Sequence, residues 1–245
     1  MKKFSFAIFF VLIAAALIPV LSKARLTNSV AGVKAAVIND SAAAISTTPV
    51  AANALTSLYD SLKLDTKGLN RHTFETAVKG FKKLKAAGKV VNNKLSIVDF
   101  SQPSTKKRLY IIDLDKKQLV FNTLVAHGRN TGALMAEKFS NTNSSNQSSL
   151  GFYVTAEKYI GKHGLSMRMD GMESGLNSNA RERAIVVHGA DYVSENFAKS
   201  MGFIGRSWGC PAVNPKENTP IVNTIANGSV LFIYNPKYEQ LTKFL

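Results

Sequence analysis

Gly205-Arg206-Ser207-Trp208-Gly209-Cys210-Pro211-Ala212-Val213-Asn214 contains the chain's only cysteine, set in a glycine-flanked loop. Upstream, a short apolar run ends in Ile185-Val186-Val187-His188-Gly189, and its β-branched residues mark it as a strand. A lone thiol in such a turn, with a histidine closing a strand, suggests a nucleophile and its base. The bland reading is that Cys210 is a small core residue and His188 a satisfied core histidine. Just beyond the thiol, Asn214 suits a helix N-cap, Pro215 the first helical position and Glu217 the acid of a capping box. Ile221, Val222 and Ile225 give that helix an apolar face, and Asn227-Gly228 ends it. Cys210 is therefore expected in a turn before a helix, where peptide N–H groups can point at one spot and hold a developing oxyanion.

Around this segment the strand signals are Leu95 to Phe100, Arg108 to Leu114, Gln118 to Ala126, Leu150 to Thr155, Ala184 to Val187 and Ser229 to Tyr234. Asp115-Lys116-Lys117 reads as a turn between the second and third. Ser140 to Ser149 is almost wholly Ser, Asn and Thr. Such a segment cannot bury a core, so it reads as a long surface loop, either a substrate lid or only solvated chain. Upstream of Gly88 the pattern is helical: Leu55, Leu58, Leu62 and Leu64 suggest a short helix, and a clearer one runs from about Asn70 to Ala87. Its apolar face is Phe74, Ala77, Val78, Phe81 and Leu84, while Lys79, Lys82, Lys83 and Lys85 read as a solvated side.

The first residues carry a leader pattern. Lys2 and Lys3 precede an apolar stretch from Phe4 to Leu21, followed by Ser22-Lys23-Ala24 as a small-x-small cleavage signal. The organisation expected is a signal peptide over 1–24, a linker over 25–54, a helical region over 55–88 and a catalytic domain over 89–245. The competing reading of the leader is an uncleaved membrane anchor. The chain carries a formal charge of +15, and loss of Lys2, Lys3 and Lys23 leaves it at +12. That charge draws the protein to polyanions. An exported chain rarely meets nucleic acid, and no basic recognition helix or RNA-binding aromatic motif is present. Anionic cell-envelope polymers fit better, and simple solubility is the plain alternative.

The histidine-glycine pair followed about twenty residues on by a Ser-x-Gly-Cys turn resembles the catalytic signature of the murein L,D-transpeptidases, the YkuD-like cysteine acyltransferases of bacterial cell-wall assembly. The variant His188-Gly189-Ala190 with Gly205-Arg206-Ser207-Trp208-Gly209-Cys210-Pro211-Ala212 is similar to one branch of that family. So are His127-Gly128-Arg129-Asn130-Thr131-Gly132, Ser148-Ser149-Leu150-Gly151 and Tyr159-Ile160-Gly161-Lys162-His163-Gly164. The likeness covers roughly Leu95 to Tyr234.

The resemblance implies a mainly β fold, a sandwich or mixed sheet with a few helices, preceded by a short helical N-terminal region. By position it makes Cys210 the nucleophile and His188 its base within hydrogen-bonding reach. It makes the Gly189 carbonyl the orienter of the ring, and Ser207 and Gly209 the residues that shape the turn. The N–H groups of Gly209 and Cys210 become the oxyanion donors. Arg206, Trp208, Asn214, His127 and His163 are the substrate-binding candidates, although His127 and His163 either line the cleft or brace loops. Two positions depart from the familiar signature: Trp208 stands where a second histidine is usual, and Ala212 where a polar residue is. The implied reaction is acyl transfer from a peptidoglycan stem peptide through a thioester, with no metal or organic cofactor. Water as acceptor would make the same site an L,D-carboxypeptidase. From another class, His127, His163 and His188 would bind zinc with Glu173 as base, although no supporting spacing is present. A third reading is a non-catalytic wall-binding module.

Overall fold

Alternating and continuous apolar runs from opposite ends of the chain assemble one eight-stranded sheet. The computed structural model describes residues 57–245, so the expected signal peptide or anchor and the whole of the expected linker lie outside the described residues. The strands are β1 (Lys94–Asp99), β2 (Leu109–Asp113), β3 (Gln118–Thr123), β4 (Gly151–Gly161), β5 (Gly164–Gly171), β6 (Val186–Gly189), β7 (Ala212–Val213) and β8 (Val230–Tyr234). Their order is β3-β2-β1-β8-β4-β5-β6-β7. The sheet is mixed, because β1 runs parallel to β8 and β6 parallel to β7 while the other neighbours are antiparallel.

Every residue of β2 and β8 is buried. That is why both read as unbroken apolar runs, as expected for strands covered on both faces. Beyond β3 the chain bends so that Ala126 bridges to Ala212 of β7, its N–H donating to the Ala212 carbonyl at 2.8 Å. The two edges of the sheet therefore meet and the fold is nearly barrel-like, which satisfies edge groups that would otherwise lie open.

Helix α1 (Arg71–Ala86) covers one side of this sheet. Asn70 accepts from the N–H of His72 at 2.8 Å to cap it, and Gly88 at φ 69° turns the chain away. Phe74, Ala77, Val78, Phe81 and Leu84 enter the same core as Leu95, Ile97, Phe152 and Phe232. Gly80 lies on this buried face for a steric reason: a Cβ there would sit 2.0 Å from the Phe152 ring. Phe152 cannot yield, being stacked on Phe232 with centroids 4.1 Å apart. Gly80→Ala is accordingly expected to cost about 1–3 kcal/mol by overpacking, despite alanine's better helix propensity. Thermal unfolding measures this, and an unchanged or raised midpoint would contradict the packing.

The chain is also helical over 57–61, where a short helix was expected, and further helices are α2 (Glu195–Met201), α3 (Pro215–Ile225) and α4 (Lys237–Leu241). Asn214 caps α3 through the N–H of Lys216 at 3.0 Å. The expected capping box does not close, because the Glu217 carboxylate instead accepts from the Thr123 hydroxyl. The chain is in strand over residues the sequence left unassigned, β5 above all, and β4 runs on past Thr155 to Gly161. Ala184 is not the start of β6; it sits in a turn at φ 52°, and the strand begins at Val186. Among the described residues no helix is long and apolar enough to cross a membrane.

Candidate active site

Parallel pairing of β6 with β7 sets His188 beside Ala212 and Gly189 beside Val213. The same register carries back by two residues, so Cys210 arrives next to Val186. Its Sγ accepts from the Val186 N–H at 3.5 Å and donates to the Ala184 carbonyl at 3.6 Å. The turn that presents this carbonyl is closed by Ile185 N–H donating to Ala180 O at 2.9 Å. Ala184 holds a left-handed conformation there, costing on the order of 1–2 kcal/mol for a residue with a Cβ. Burial pushes the Cys210 thiol above its ordinary range, against opposing pulls from the Val186 N–H and the Arg183 guanidinium. It therefore rests as a thiol, partly open to solvent.

The turn itself is held by Ser207, whose Oγ donates to the Cys210 carbonyl at 2.6 Å and accepts from the Gly209 N–H at 3.0 Å. Gly209 needs its φ of 127°, and a Cβ there would meet the Gln147 carbonyl at 2.8 Å. The Gly209 N–H, one of the two expected oxyanion donors, is already bonded to Ser207. The helix expected directly after the thiol is separated from it by β7, so its N-terminus does not supply another donor.

His188 is buried and its Nδ1 lies 3.0 Å from the Gly189 carbonyl. A carbonyl only accepts, which assigns the proton to Nδ1 and leaves Nε2 as a lone pair. Burial holds the imidazole below its usual pKa, and nearby His163 adds to the effect. His188 is thus neutral at neutral pH, the form a base requires. The thiol and the imidazole make their hydrogen bonds to backbone rather than to each other. The expected direct bond is absent in the resting arrangement, as is common before substrate tightens a site. Both side chains line one cleft of about 450 Å³, together with His163, Arg183, Arg206 and Trp208.

The other sequence candidates fall into distinct places. Trp208 is 72% exposed at the cleft rim, with the Arg129 guanidinium 5.9 Å from its ring centroid. Arg206 lines the cleft while Nη1 donates to the Gly132 carbonyl at 3.1 Å. Asn214 is occupied, capping α3 and donating to the Val193 carbonyl at 2.9 Å. His127 does not line the cleft: it is fully buried, with Nδ1 accepting from Arg108 Nη2 at 2.8 Å and Nε2 donating to Gly132 O at 3.2 Å. His163 does reach the cleft, stacked on His188.

The zinc reading loses its donor set, since among the described residues no three His, Cys, Asp or Glu side chains converge. Glu173, its intended base, is buried and accepts from Phe152 N–H, Tyr238 OH and the Thr242 hydroxyl. Nor is Ser140–Ser149 merely solvated chain. Arg183, which carried no sequence signal, donates to the carbonyls of Ser140 at 2.8 Å and Gln147 at 2.6 Å, and Ser148 and Ser149 are buried.

A nearly closed mixed β-sheet bearing a cysteine and a neutral histidine in one open cleft defines the class of protein. The family model for the L,D-transpeptidase catalytic domain matches residues 65–234, and the chain belongs to that family. Among solved structures, it is similar to an L,D-transpeptidase from Mycobacterium smegmatis at 13% identity, covering 58% of this chain and 59% of that one with a TM-score of 0.35. An L,D-transpeptidase from Stackebrandtia nassauensis is 13% identical over 60% of this chain and 57% of its own, with a TM-score of 0.36. One from Xylanimonas cellulosilytica is 14% identical over 62% and 68%, with a TM-score of 0.35. The chain thus spans under three fifths of the length of the first of these structures. No curated protein matches it.

Proposed function

We propose that the protein is a cysteine-dependent L,D-transpeptidase acting on peptidoglycan stem peptides outside the cytoplasm. The observation that carries this reading is the shared cleft of Cys210 and a His188 whose proton sits on Nδ1. Family membership supplies the substrate class, while the leader pattern and the basic charge support export towards an anionic envelope.

The chemistry follows from those groups. As a stem carbonyl enters the cleft, the Cys210 thiol leaves the Ala184 carbonyl and gives its proton to His188 Nε2. The sulfur attacks the carbonyl carbon of the diamino acid before the terminal D-Ala. The C–N bond breaks, the proton returns from Nε2 to the departing D-Ala amine, and a thioester remains. An acceptor amine then loses its proton to His188 and attacks the thioester. The C–S bond breaks, and the thiolate recovers the proton from Nε2. A thiolate suits this work because it is strongly nucleophilic near neutral pH. Water in the second step gives L,D-carboxypeptidase action by the same residues.

Two incubations test the proposal. A carbapenem presents a strained β-lactam carbonyl in place of the stem amide, so intact-mass spectrometry of the treated protein is expected to show one covalent adduct per chain. Incubation with disaccharide tetrapeptide is expected to release D-Ala, with cross-linked dimer marking transfer and tripeptide marking hydrolysis. No adduct together with unaltered stem peptides would overturn the assignment.

A further inference from the structure

The His188 ring is fixed by a single hydrogen bond, from Nδ1 to the Gly189 carbonyl. One bond at one edge does not by itself set the plane of an imidazole, and a catalytic base needs its ring plane set as well. The second contact comes from a different element. β4 and β5 form a hairpin in which Gly161 pairs with Gly164 across Lys162-His163. Gly164 takes φ 74° with open space around its missing Cβ, so glycine serves the backbone there, as in the bulge that ends a tight hairpin loop. β5 then pairs with β6 through Ser166 opposite His188, tying the hairpin alongside the base's own strand. The result is that the His163 ring lies on the His188 ring, centroids 4.6 Å apart and planes 27° from parallel. Among the described residues no other aromatic ring pairs with His188.

We propose that His163, at the tip of the β4–β5 hairpin, is a positioning residue for His188: its ring stacks on the imidazole and fixes the plane of the base that shares a cleft with Cys210. The inference rests on the acyl-transfer reading for its catalytic meaning, and on ring geometry alone for its structural content. A stack within 30° of parallel at this distance is a favourable aromatic arrangement, and it adds no hydrogen bond that would compete for Nε2. His163 itself is exposed, so its place is not dictated by core packing. The ionisable groups facing His188 across the cleft are Cys210, Arg183, Arg206 and Tyr192, with Lys162 and Tyr159 on the hairpin; none of them stacks on the ring.

The test uses the full chain with His163→Ala and His163→Phe, reading two quantities: the rate of carbapenem acylation of Cys210, and the titration of the His188 ring followed by NMR. His163→Ala is expected to slow acylation about tenfold and to move the His188 titration to higher pH, since both the covering ring and the neighbouring charge are gone. His163→Phe keeps a flat ring, so its acylation rate is expected to stay within about threefold of wild type. Both variants are expected to keep the wild-type unfolding midpoint, because the tip is exposed. An alanine variant with unchanged rate and unchanged His188 titration would overturn the proposal, as would phenylalanine and alanine variants that are equally slow. Should the wild-type protein take no carbapenem, the acyl-transfer reading falls, while the ring-current shift of the His188 protons, kept in His163→Phe and lost in His163→Ala, still decides whether His163 holds the ring.

Discussion

Cys210→Ala is expected to lose the carbapenem adduct completely and to reduce stem-peptide turnover by at least about 10³-fold, the scale on which removal of a nucleophile acts. No other side chain in the cleft can stand in: the chain has one cysteine, and Ser207 spends its hydroxyl on the Cys210 carbonyl and the Gly209 N–H. The fold should survive. The sulfur's two contacts are long ones to backbone, at 3.5 and 3.6 Å, and their loss is worth about 1 kcal/mol at most. Cys210→Ser sharpens the test, because it keeps a donor and an acceptor in place but supplies a hydroxyl that ionises far less readily than a thiol. It is expected to be as inactive as the alanine variant. A wall-binding module would behave oppositely, since its properties would pass unchanged through both substitutions. Intact mass, product analysis and an unfolding curve on the three proteins separate these outcomes.

What could be read from the sequence was local, and what could not was long-range. The cap at Asn214 was legible because it acts on an N–H two residues away. The strands β2 and β8 were legible because burial on both faces leaves a run of at least four apolar residues. β5 also carries a signal, with Leu165, Met167 and Met169 alternating with Ser166, Arg168 and Asp170, which its glycines and charges obscure. Short α2 buries none of its residues, so no apolar face betrayed it.

The candidate site divides in the same way. Cys210, His188 and the shaping role of Ser207 follow from a compact pattern. Glu217 shows the limit, for its carboxylate goes to Thr123, 94 positions away, rather than to the cap that spacing suggests. Arg183 and the stacked His163 depend on loop and hairpin placement, for which neighbouring residues give no sign. For His127 the sequence left cleft and brace both open, since His-Gly beside a strand reads alike whether the imidazole faces a cleft or, as here, a buried arginine.

That buried pair makes acid sensitivity the second large effect. Arg108 and His127 are both inaccessible to solvent. The guanidinium donates to His127 Nδ1 at 2.8 Å, the opposite ring nitrogen faces the Gly132 carbonyl, and the Phe100 ring packs edge-on with centroids 5.7 Å apart. A proton on Nδ1 would break the bond from Arg108 and set two cations against each other without water between them. Burial, and after it the arginine charge, pull His127 from the ordinary 6.5 down to about 3. Burial also draws Arg108 down, to about 9, which still leaves it charged at neutral pH.

A folded-state pKa below the unfolded one means that the unfolded chain binds the proton first. The stability contributed by neutral His127 is therefore complete above pH 6.5 and is lost as pH falls towards 3. Between pH 6.5 and 4.5 the expected loss is about 2–3 kcal/mol, in a range above that where depressed carboxylates such as Asp113, Glu157 and Glu239 begin to contribute. His188, also depressed, adds to the same limb, whereas Glu173, raised by burial, opposes it. His127→Gln offers Arg108 an amide oxygen and Gly132 an amide N–H without a group that titrates. Denaturant unfolding across pH 4.5–7 is expected to show wild type falling steeply and the glutamine variant much flatter. Parallel curves for the two proteins would mean that the buried imidazole accepts a proton at little cost, contrary to an arginine donating into its ring.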